Sequence, residues 1–107
     1  MSSDKTNPKP LQSTFRDDPD MVPIIEEFVA ELSDRVATLR RTYESGQVEG
    51  LQRLAHQLKG AGSGYGYEPI TNAAAKLESA IKSSSGGLEQ VRGQLEELIE
   101  LCQRAKV

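Results

Sequence analysis

The chain has 107 residues, a formal net charge of −3 and 36% hydrophobic residues, enough for one domain with a modest core. Trp is absent and aromatics make up 5%, while Glu, Gln, Leu, Ala, Arg and Lys abound, so a helical fold with an aliphatic core is expected. The mild charge, with both signs interspersed, gives no reason to expect nucleic-acid binding, and no segment resembles a signal peptide or a membrane span, so a cytoplasmic protein is expected. Cys102 is the single cysteine, which rules out an intramolecular disulfide and a thiolate metal cluster.

Residues 1–19 are rich in Ser, Lys, Asp, Asn and Pro and read as a flexible N-terminal tail, from which Leu11 and Phe15 could dock back. The folded domain is expected over residues 20–107. Asp20 is a plausible N-cap, with Pro23 in the first turn, where a missing N–H is tolerated. Ile25, Phe28, Val29, Leu32, Val36, Leu39 and Tyr43 then recur at steps of three and four, an amphipathic helix that ends near Ser45-Gly46. Pro23 leaves open a break that would set off a short extra helix at the start.

A second helix is expected from about Val48, with Val48, Leu51, Leu54, Ala55, Leu58, Ala61, Gly62 and Tyr65 inward, stopping near Gly66. Pro69 opens a third, with Ile70, Ala73, Ala74, Leu77 and Ile81 inward. Ser83 to Gly87 reads as a loop. Leu88, Val91, Leu95, Leu98, Cys102 and Ala105 line a fourth. Four amphipathic helices on short loops predict an all-α antiparallel four-helix bundle.

The only histidine is His56. On a helical wheel it falls roughly 140° from Leu51, on the outward side together with Lys59, Gly60 and Ser63, with Gln52 one turn before it. Lys59 at i+3 is placed to reach a group on the imidazole. Gly60 at i+4 costs the helix on the order of 1 kcal/mol relative to alanine, and it removes any side chain that would crowd His56. Gly64 extends that bare lane by a turn.

Such a face suits reversible phosphorylation on nitrogen. An unperturbed imidazole, with a pKa near ~6.5, is largely neutral and nucleophilic at neutral pH. In-line attack on a phosphoryl donor needs the cleared space, and a neighbouring ammonium offsets the charge of the transferring group. A hydrolase lacks a Ser or Cys nucleophile next to His56 in sequence. One histidine and a cysteine on an apolar stripe do not make a metal site. Glycines preceding a lysine–serine pair, as in a phosphate-binding loop, are absent.

His56-Gln57-Leu58-Lys59-Gly60, with Gly66 ten residues after the histidine, resembles the motif of the histidine-containing phosphotransfer (HPt) domain family. The resemblance implies that His56 is the phosphorylated residue, that Lys59 stabilises the phosphoryl group, that Gly60 gives steric access, that Leu58 is a core position and that Gly66 marks the helix end. It further implies a phosphoryl carrier with no kinase activity of its own. Phosphate would pass between aspartates of response-regulator receiver domains, with a receiver domain or a hybrid sensor histidine kinase as partner. No cofactor is implied for this chain, Mg2+ being supplied by the receiver. Gln52, Arg53, Gln57, Ser63 and Gly64 are expected to surround the docking surface. A degenerate bundle that docks receivers without carrying phosphate is the alternative. Gly62-Ser63-Gly64 is richer in glycine than the motif requires.

Overall fold

The computed structural model describes residues 9–107; the part of the expected tail over residues 1–8 lies outside the described residues. Four α-helices follow in order: α1 (Val22–Glu44), α2 (Val48–Gly64), α3 (Glu68–Ser83) and α4 (Arg92–Arg104), the last preceded by a 3-10 turn at Leu88–Val91. This is the helical bundle expected from the sequence. Two-residue strands β1 (Leu11–Gln12) and β2 (Ala105–Lys106) pair in parallel. Among the described residues no helix is long and apolar enough to cross a membrane.

The apolar periodicity accounts for each helix. Ile25, Phe28, Leu32, Val36 and Leu39 are buried on α1, and Leu51, Ala55, Leu58 and Gly62 on α2. Ile70, Ala73, Ala74, Leu77 and Ile81 are buried on α3, and Leu95, Leu98, Ile99 and Cys102 on α4. The small residues of α3 let α2 and α3 form the most extensive helix pair of the bundle. The two run antiparallel: His56 of α2 meets Glu78 of α3 near one end, while Gly62 meets Thr71 near the other. Burial beside α1 pushes the Cys102 thiol up to about 12, with Arg35 opposing.

Several local expectations are corrected. Asp20 is not the N-cap: that position is Met21, without a side-chain cap, and the Asp20 N–H instead donates to Asp18 Oδ1 at 2.9 Å. Pro23 lies in the first turn as expected, and α1 is continuous from Val22, with no separate short helix before it among the described residues. Val48 is 44% exposed although it was expected on the apolar face of α2, because it opens that helix at the rim of a small cleft that it shares with Ile81 and Leu88. Ile99, absent from the expected stripe of α4, is buried.

Residues 11–14, assigned to a flexible tail from the sequence, follow a defined path across the bundle. β1 pairs with β2, the buried Ser13 hydroxyl donates to Tyr65 O at 2.6 Å, and the Thr14 N–H donates to Gly66 O at 2.9 Å. These bonds satisfy carbonyls just beyond the end of α2 that no helical N–H reaches. Leu11 packs against the core, whereas Phe15 stays 40% exposed. Gly66 takes φ +86°, and a side chain there would also run into Ser13 and Thr14, so two separate constraints require glycine. At the same end, Phe28 stacks on Tyr65 with ring centroids 4.5 Å apart, and the fully buried Tyr67 donates its hydroxyl to Lys106 O at 2.5 Å. Burial raises the Tyr67 phenol above its ordinary value.

Candidate functional site

α2 has a buried stripe and an open face. Leu51, Ala55 and Leu58 turn into the core, which forces His56 outward; its side chain is 66% exposed. Gln52, Arg53 and His56, with Glu49 of α2 and Glu78 of α3, line one open groove of about 450 Å³. Gln52 is half-buried, and Arg53, Gln57, Gly60, Ser63 and Gly64 are exposed. Gln57 and Ser63 do not line the groove. A Cβ built on Gly60 or Gly64 would meet nothing within 4 Å, so the lane beyond His56 is clear.

The residue that organises the site was missed from the sequence. Glu78 of α3 is buried, with its side chain only 8% exposed. Its Oε2 lies 3.1 Å from His56 Nδ1, its Oε1 lies 2.8 Å from Lys59 Nζ, and Lys82 Nζ stands 3.7 Å from Oε2. The signal was present: Glu78 falls four residues after Ala74 and three before Ile81, on the inward stripe of α3. A carboxylate on such a stripe needs a cationic partner from a facing helix.

The Lys59 hydrogen bond holds the Glu78 carboxyl below its ordinary value against the opposing effect of burial; the Lys59 charge, the His56 hydrogen bond and the Lys82 charge act in the same direction as Lys59. Glu78 is therefore ionised at neutral pH, and an ionised carboxylate only accepts hydrogen bonds. In the neutral ring Nδ1 must then carry the proton, and Nε2 keeps its lone pair. The ring is oriented and its free nitrogen belongs to an imidazole that is two-thirds exposed.

Thr71 is a second residue that sequence reasoning missed. Its hydroxyl donates to Lys59 O at 2.7 Å and accepts from the Ser63 N–H at 2.6 Å. It thereby sits between the two groups that a regular helix would join directly, an insertion into the hydrogen-bond ladder of α2. Gly62 makes room for it: a Cβ there would lie 2.5 Å from Thr71 Oγ1 and 2.7 Å from Thr71 N. The surplus glycines thus divide by role, with Gly62 closing α2 onto α3 and Gly64 leaving the outer lane open.

A bundle with a lone, oriented, exposed imidazole beside an ammonium is a histidine-centred helical module. The chain matches the Hpt domain over residues 23–106, most of its length, and it belongs to that family. Hpt domains are histidine phosphotransfer modules rather than kinases, and the family generally interacts with response-regulator receiver domains and histidine kinases. No curated protein and no solved structure matches the chain.

Proposed function

We propose that His56 carries a phosphoryl group between aspartates of response-regulator receiver domains in a phosphorelay, and that the protein works in the cytoplasm with a receiver domain or a hybrid sensor histidine kinase as partner. The observation that carries this reading is the Nδ1–Glu78 contact at 3.1 Å on an imidazole whose side chain is 66% exposed. It supports Nε2 as the nucleophile.

In the forward step, the Nε2 lone pair attacks the phosphorus of an aspartyl phosphate. The N–P bond forms as the P–O bond breaks, and the bonding pair leaves on the aspartate carboxylate. The Nδ1 proton stays on the ring, so the product is a phosphoimidazolium whose positive charge Glu78 offsets. In the return step the N–P pair goes back to Nε2 and the phosphoryl group passes to the next carboxylate. The same Nδ1 proton makes the ring the better leaving group.

Lys59 offsets charge on the phosphoryl oxygens, and Gly60 and Gly64 admit the partner to an in-line approach. Gln52, Arg53, Gln57 and Ser63 ring the docking surface, where basic and small residues complement the acidic pocket of a receiver. The chain itself needs no cofactor for this chemistry, because Mg2+ is bound by the receiver.

Incubation with a phosphorylated receiver domain tests the reading. Wild-type protein should acquire acid-labile, alkali-stable phosphate and His56→Gln should acquire none. Equal labelling of the two would end the relay reading, and docking without labelling would favour the non-carrying alternative.

A further inference from the structure

Glu78 has more cations around it than one carboxylate requires. Lys59 takes Oε1 at 2.8 Å, while Oε2 faces both His56 Nδ1 at 3.1 Å and Lys82 Nζ at 3.7 Å. The Lys82 distance is too long for a strong hydrogen bond, and its side chain is 60% exposed, so it stands beside the carboxylate without being committed to it. Lys82 lies one turn along α3 from Glu78 and reaches Oε2 from its own helix, whereas His56 and Lys59 make the other two contacts from α2. Arg53 lines the same groove, and it makes no ion pair with Glu78.

Lys59 has two calls on it. At rest it neutralises Glu78, and during transfer it is needed at the phosphoryl group. An ammonium that turns to the phosphoryl oxygens leaves a carboxylate that is almost fully buried short of its main partner. Such a group must be re-paired, or it takes up a proton and lets go of the ring.

We propose that Lys82 is a positioning residue that closes on Glu78 as Lys59 moves to the phosphoryl group, so that the His56 Nδ1–H stays held throughout transfer. This inference rests on the phosphotransfer reading of His56. Its physical content is an exchange of ion pairs on one buried carboxylate, with a resident cation and a reserve cation supplied from different helices.

The exchange is testable first without phosphate. Lys59→Met imitates the moment at which Lys59 has left, and the single histidine allows its ring nitrogens to be followed by 15N NMR in protein labelled at histidine, at alkaline pH. Lys59→Met and Lys82→Met should each keep the Nδ1–H tautomer, and the double variant should shift toward the Nε2–H form that free imidazole side chains favour. Loss of the Nδ1–H tautomer in Lys59→Met alone, or its retention in the double variant, would overturn the proposal. The second measurement is single-turnover transfer from a phosphorylated receiver. Lys82→Met should lower the maximal rate about fivefold, the effect of a strong exposed ion pair, without changing the receiver concentration at half-maximal rate. Normal transfer in wild type with an unchanged rate in Lys82→Met overturns this inference alone, whereas wild type that accepts no phosphate overturns the phosphotransfer reading together with it.

Discussion

One imidazole, one carboxylate and two ammonium groups meet at the candidate site, and the proposed phosphotransfer gives each a task. Glu78 sets which nitrogen of His56 is free, and in the proposed relay Lys59 is the cation nearest to hand for the arriving phosphoryl charge. The same contacts carry a pH dependence. The Glu78 carboxyl is lowered from 4.5 in the folded protein, so its stabilising effect is fully present above the unfolded value and is lost as pH falls through the lower folded value. Wild type should therefore be more stable than Glu78→Gln at about pH 7, and the gap should narrow by about pH 3. Urea titrations of both proteins at the two pH values measure this, and a gap that does not change with pH would show that Glu78 is not held as an ion.

At the scale of the helix, α2 and α3 act as one element. α2 displays His56 and Lys59, and α3 supplies Glu78 and Thr71 from behind them. The glycines of α2 separate these roles experimentally. Gly60→Leu places its side chain in open space, so the fold should persist, with up to about 0.8 kcal/mol gained from helix propensity, while phosphotransfer is blocked. Gly62→Ala drives a Cβ against the backbone of Thr71 and should cost about 1–3 kcal/mol, as overpacking does. Denaturation and transfer assays on both variants check the contrast; normal transfer in Gly60→Leu would contradict the access role.

These helices also show what could be read in advance. Their apolar repeats of three and four located the stripes, and the same wheel placed His56 and Gly60 outward. Glu78 and Thr71 escaped because each matters through a partner on another helix, which a single-helix wheel does not display. Asp20 had the chemistry of a cap but lay one residue too early for the chain's actual turn. β1 and β2 are two residues each, too short for any period to show.

For the whole molecule, the chain beyond the bundle matters most at the end of α2. Ser13, Thr14, Tyr65, Gly66, Tyr67 and Lys106 tie the segment before α1, the α2–α3 turn and the C-terminal strand together. The helix that carries His56 is thereby anchored at its far end by a strap from outside the four helices. Ser13→Ala removes the donor to Tyr65 O and the acceptor for the Phe15 N–H, and should lower stability by about 1 kcal/mol. Faster hydrogen exchange at the Thr14 amide should accompany that loss. Unchanged stability and exchange would mean that the strap rests on the bundle without supporting it.

Phosphotransfer through Nε2 of His56 is most directly tested by NMR on protein labelled with 15N at histidine and phosphorylated by a receiver domain. The chain has one histidine, so any phosphohistidine signal is His56. Coupling of phosphorus to Nε2, with Nδ1 still protonated, is the expected result. Phosphorus on Nδ1, or no phosphohistidine at all, would contradict it.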